Sequence, residues 1–66
     1  MALDRTQHFE YGNFLALEGR DKEAIDQLQL AVDEGYGNFI AMRVAEDLES
    51  LRGDPRFEAI IAKGLK

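Results

Sequence analysis

The chain has 66 residues, a net charge of −5, no cysteine, no tryptophan and one proline: room for one domain with a thin stability margin, and no disulfide, thiolate metal site or thiol nucleophile to reinforce it. An apolar content of 45% marks a folded rather than a disordered chain, no apolar run approaches the ~20 residues that span a bilayer, and Met1–Glu10 lacks the apolar core of a signal peptide. The acidic balance disfavours nucleic acid and anionic membrane surfaces as partners, and the lack of cysteine suits the cytoplasm, where the protein is expected.

Gly19, the Gly35/Gly37 pair and Gly53-Asp54-Pro55 cut the chain into four pieces, each with helical rather than alternating periodicity. The first runs from about Asp4 to Glu18, with Asp4 or Thr6 as its cap. Phe9, Tyr11, Phe14, Leu15 and Leu17 make it apolar over more than one face. Gly12 stands mid-helix, where glycine costs roughly 1 kcal/mol relative to alanine, so another helix is expected to pack close against it. Gly19 suits the left-handed residue that ends a helix.

The second piece runs from about Asp21, its expected N-cap, to Glu34. Ala24, Ile25, Leu28, Ala31 and Val32 form one apolar stripe. Tyr36, between two glycines, is expected to pack back on the hairpin. The third piece runs from about Asn38, its cap, to Arg52, with Ala41, Val44, Ala45, Leu48 and Leu51 as its stripe and Phe39, Ile40 and Met42 as further apolar area. It reads either as one helix or as two broken near Val44–Asp47. The fourth piece opens on Asp54-Pro55, a cap followed by proline at the first helical position. It carries Phe57, Ile60, Ile61 and Leu65 inward, with Lys63 and Lys66 complementing its C-terminal dipole. Short loops between the pieces imply antiparallel neighbours. The expected architecture is all-α, two stacked antiparallel helical hairpins over residues 1–36 and 37–66. Its core is expected to include Gly12, Ala24, Leu28, Leu48, Phe57 and Ile60.

His8, Tyr11, Gly12 and Leu15 on the first piece, Ala24, Leu28 and Ala31 on the second, and Tyr36 beyond them keep a repeat-like spacing, and the stretch LEGRDKEAIDQLQLAVDEGY spans the turn and second helix. In this the chain resembles a tetratricopeptide repeat over about residues 6–36. The small residues at Gly12 and Ala24 let two helices approach while Leu15 and Leu28 fill the space beside them. His8 and Leu15 depart from the usual aromatics, Tyr36 from the usual proline, and Glu46 stands where a second close-approach glycine would fall. The segment LESLRGDPRFEAIIA instead resembles the tail that closes such arrays. The chain thus looks like one repeat plus a capping unit, either the end of a longer repeat protein or a small chain that self-associates.

The resemblance implies a non-catalytic interaction module that holds a peptide or protein on its first-helix face. Thr6, Phe9, Asn13, Ala16 and Leu17 would line that face, continued by Phe39, Met42 and Arg43. Asn13 after Gly12 resembles the start of a carboxylate clamp, but Phe9 stands where the clamp needs lysine. The plainer reading makes Asn13 a solvated polar residue and Phe9 a core side chain. A second hypothesis is a homodimer, because Phe9, Phe14, Leu17, Leu30, Phe39, Ile40 and Met42 exceed what two small stripes need.

Catalysis has little to stand on. His8 has no cysteine partner, only Thr6 and Ser50 add hydroxyls besides the tyrosines, and no glycine-rich loop cradles phosphate. The acids are adjacent or near-adjacent on helices and do not converge, and Asp33–Asn38 lacks calcium-loop spacing. No cofactor, metal or small-molecule substrate is expected. Residues 1–35 hold eight acids and three bases while residues 36–66 hold five of each, so the net charge sits in the first half. There Asp26, Asp33 and Glu34, with Glu23, offer either a surface for a basic partner or plain solubility.

Overall fold

A computed structural model describes residues 4–65. It holds four α-helices, α1 (Arg5–Leu17), α2 (Asp21–Asp33), α3 (Phe39–Val44) and α4 (Pro55–Gly64), with a 3-10 segment, Glu46–Leu51, between α3 and α4. The described residues contain no strand. The fold is all-α, with α1 and α2 as one hairpin and the α3/3-10 arm with α4 as the other.

Each helix start follows from local chemistry. Asp4 rather than Thr6 caps α1: its Oδ1 accepts the Gln7 amide at 2.8 Å while the Gln7 side chain accepts the Asp4 amide at 3.0 Å, a reciprocal capping box. Asn38 caps α3 by accepting the Ala41 amide at 3.1 Å. Asp54 caps α4 by accepting the Arg56 amide at 2.9 Å, with Pro55 at the first helical position. Asp21 is the first residue of α2 and not its cap; Arg20 holds the cap position without a side-chain hydrogen bond. The turn is so short that the Arg20 amide is already used to close α1.

The two ends of the first hairpin use one device. Gly19 (φ +79°) and Gly35 (φ +104°) take the left-handed conformation that other residues avoid. After α1, the Gly19 and Arg20 amides donate to the Ala16 and Leu15 carbonyls; after α2, the Gly35 and Tyr36 amides donate to the Val32 and Ala31 carbonyls. These are paired Schellman closures. The second one turns Tyr36 back so that its ring stacks on Phe9, centroids 4.5 Å apart and 13° from parallel.

Gly12 is where α1 and α2 meet. A Cβ built there would stand 2.9 Å from Leu28 Cδ2 and 3.3 Å from the Ala24 carbonyl oxygen. Leu15, Ala16, Ala24, Ile25 and Leu28 continue this buried layer, and Met42, Leu48, Leu51, Phe57, Ile60 and Ile61 close it from the other arm. All six residues expected in the core lie there. The 3-10 segment packs on α1 and α2, and α4 packs on α2 and α3.

The third piece is broken at Ala45, whose extended backbone (ψ 123°) ends α3 after six residues. Arg52 reaches back over the break, donating from Nε to the Arg43 carbonyl and from Nη2 to the Ala45 carbonyl, both at 3.2 Å. The break resets the helical phase, and with it the inward set of side chains. Met42 becomes fully buried, whereas Val44, expected in the inward stripe, is 61% exposed. Leu65, also expected inward, lies one residue beyond α4 and is exposed. Lys66 lies outside the described residues.

No helix among the described residues is long and apolar enough to cross a membrane.

Candidate functional site

The residues expected to line one binding face are not brought together. Ala16 and Met42 are core side chains, 4% and 0% exposed, so neither can meet a partner. Ala16 is buried because it shares the inward face of α1 with Gly12; Met42 is buried because of the phase reset at Ala45. Phe9 is half-buried, packed on the core and stacked on Tyr36. Burial pushes the Tyr36 phenol above its ordinary value of 10.0. Phe39 is half-buried against Gly64. Asn13 is half-buried, and its Oδ1 is enclosed without a hydrogen-bond partner. Thr6, Leu17 and Arg43 are exposed.

A different face of α1 is open. Tyr11, Phe14 and Leu17, at i, i+3 and i+6, point away from the layer of Gly12, Leu15 and Ala16 and remain exposed, Leu17 the most at 65%. The Tyr11 and Phe14 rings stack with centroids 6.4 Å apart and planes 16° from parallel, forming a preassembled aromatic pair on the surface. The three large apolar side chains are grouped on one helical face rather than scattered singly. Tyr11 escapes a sequence reading that gives it a core position in a repeat. The signal was present nonetheless, since it lies with Phe14 on the side of the helical wheel opposite Gly12 and Ala16. On α3, Ile40 and Val44 form a smaller exposed apolar pair at i and i+4.

Three of the polar side chains, His8, Ser50 and Arg20, have side-chain partners. His8 Nδ1 lies 2.7 Å from Gln27 Oε1 and ties α1 to α2. The Ser50 hydroxyl donates to Asp21 Oδ1 at 3.2 Å. Arg20 forms a two-pronged pair with Glu23, and that hydrogen bond, with the carboxylate charge, raises the guanidinium pKa further. Among the described residues no three His, Asp or Glu side chains come together as a metal site would need.

Between α2 and α4 runs a groove in two contiguous parts, about 390 and 180 Å³, floored by Ile25, Val32, Ala59 and Ile60 and closed at one end by Phe39. Comparison with known proteins adds no relative to this picture: no family model, no curated protein and no solved structure matches the chain.

Proposed function

We propose that the chain is a non-catalytic protein-contact module, built in the manner of a tetratricopeptide hairpin with its end cap, that works in the cytoplasm and docks a protein or peptide on the outer face of its first helix. The observation that carries this is the exposed Tyr11–Phe14–Leu17 stripe on α1. Such a stripe costs solubility when bare and gains free energy when covered, at about 25 cal/mol per Å² of apolar area removed from water. The repeat-like reading rests on the sequence spacing of Gly12, Leu15, Ala24 and Leu28; the close approach at Gly12 and the glycine closures are features of any tightly packed helical hairpin. The lack of cysteine supports the compartment.

A photo-crosslinking side chain placed at Phe14, and in a second variant at Glu49 as a control surface, tests the docking face. Covalent adducts from position 14, lost when Leu17 is changed to glutamate, are expected. Equal adducts from both positions would remove the α1 face from the proposal.

Self-association is the second reading, favoured by the Ile40–Val44 patch, which gives one copy a second apolar surface for the α1 stripe of another. Sedimentation across a concentration series decides it, since a strict monomer at the highest concentration excludes this reading and leaves docking of a different partner.

A further inference from the structure

The α2–α4 groove lies apart from the α1 stripe and has a charge pattern of its own. Its lower part is lined by Asp26 of α2 and by Arg56 and Lys63 of α4; its upper part by Asp33 of α2 and again by Lys63. Low-numbered residues of α2 meet low-numbered residues of α4, and high meet high, so the two helices run in the same direction. Asp26 and Arg56 then share the lower part, and Asp33 and Lys63 the upper, with Lys63 reaching both. The pairs are not closed: among the described residues the ion pair within 4.0 Å is Arg20–Glu23, and none crosses the groove. The groove therefore has an apolar floor, an acidic wall and a basic wall, with its charged groups left open towards an occupant.

Wall spacing selects the kind of occupant. Asp26 and Asp33 are seven residues apart on a helix, as are Arg56 and Lys63, which sets the two rungs about 10.5 Å apart along the groove. A helical ligand repeats the same spacing on one edge at i and i+7. An extended ligand covers it in about three residues, whose side chains alternate between faces. A volume at the low end of ligand pockets, ~300–1,000 Å³, suits a row of inserted side chains. A second copy of this face would set one hollow against another and leave the floor uncovered.

We infer that the α2–α4 groove is a helix-docking site that takes an amphipathic helix with basic residues along one edge of its apolar stripe and acidic residues along the other, the basic edge lying on Asp26 and Asp33 and the acidic edge on Arg56 and Lys63. This goes beyond the α1 contact face, and the charges do more than attract. Turning such a helix end for end exchanges its edges, so only one direction pairs every rung. The groove sets ligand polarity.

The probe is a synthetic helical peptide of about 18 residues, long enough to hold helix. It carries leucines along one stripe, two lysines seven residues apart on one edge and two glutamates seven apart on the other, with a spin label at its N-terminus. In amide NMR spectra of the full chain, binding is expected to shift signals of Ile25, Gln29 and Ile60, and the label to broaden one end of the groove only, either near Asp26 and Arg56 or near Asp33 and Gly64. In the charge-exchanged protein, Asp26→Lys, Asp33→Lys, Arg56→Glu and Lys63→Glu, the broadening moves to the opposite end. As a check that needs no variant, a peptide with lysines on both edges binds wild type roughly tenfold more weakly, since each rung then meets a like charge. Three results would overturn the inference: broadening at the same end in both proteins, shifts confined to Tyr11, Phe14 and Leu17, or equal affinity for the two peptides. So would groove shifts that grow with protein concentration when no peptide is present, which would make a second copy the occupant.

Discussion

A side-chain carbon placed on Gly64 would overlap the ring of Phe39 at Cγ, Cδ1 and Cε1. The last residue of α4 is thus the floor on which the first residue of α3 rests, and the contact joins the two arms of the second hairpin where the groove ends. Gly64→Ala must push Phe39 aside. Overpacking of this sort costs typically 1–3 kcal/mol, more than the helix propensity gained at a terminal position. A lower urea midpoint is expected for Gly64→Ala, with part of the loss recovered when Phe39→Leu is added. Equal midpoints for wild type and Gly64→Ala would show the ring to be free to move.

Gly12→Leu places its new atoms where Leu28 Cδ2 already stands and beside the Ala24 carbonyl oxygen. Leu28 is fully buried, and the carbonyl belongs to the backbone of α2, so neither gives way easily. The expected loss is on the order of 1–3 kcal/mol, a large share of what a domain this small holds. Thermal melting followed by circular dichroism checks it, and an unchanged midpoint would count against the close helix approach.

The contrast between these glycines shows what the sequence could reveal. Gly12 was legible because it interrupts a helical pattern whose partner, Ala24, lies in the next helix at a fixed spacing. Asn38 and Asp54 were legible as caps, and Asp4 as one of two candidates, because capping is decided within a few residues; Asp21 was misplaced by one residue, since Arg20 holds the cap position of α2. Gly64 was not legible, since its role depends on Phe39 arriving from another helix. The break at Ala45 was visible only as a choice, because no glycine or proline marks it and tertiary packing decides between one helix and two. That choice then determined which of Met42 and Val44 turned inward. The groove was half legible: Asp26 and Asp33 stood out as an acidic face, but the wall of Arg56 and Lys63 opposite them exists only once α4 docks parallel to α2.

Arg52 bridges that break by donating to the Arg43 carbonyl, which α3, only six residues long, leaves without a partner in its own turn, and to the Ala45 carbonyl, which also accepts the Leu48 amide. The side chain is exposed, so Arg52→Ala should cost about 1 kcal/mol, the usual net worth of such bonds. Its effect is expected to be local. Amide exchange should quicken in α3 and leave the α1–α2 hairpin unchanged. Arg52→Lys should behave like alanine, because an ammonium group lacks the fork that reaches both carbonyls. Uniform quickening across all helices would instead assign Arg52 to global stability.

Tyr36 sits on Phe9 with its phenol partly withdrawn from water, and burial raises its pKa above 10.0. The folded state therefore holds the phenolic proton more tightly than the unfolded chain does. For a group shifted in this direction, the stabilising contribution is complete below the unfolded value, near pH 10, and is lost as pH rises through the higher folded value. Tyr36→Phe keeps the stacked ring and removes the proton. Below pH 9 the two proteins should melt nearly together, apart from whatever the hydroxyl itself contributes. Above pH 10 wild type should lose stability faster than Tyr36→Phe, and the gap between their melting temperatures should widen until the folded-state phenol is ionised. Tyr11, on the exposed face of α1, is present in both proteins and drops out of the comparison. Melting curves of the pair collected from pH 8 to 11.5 read the difference directly, and parallel curves throughout would mean that Tyr36 ionises as freely in the fold as outside it.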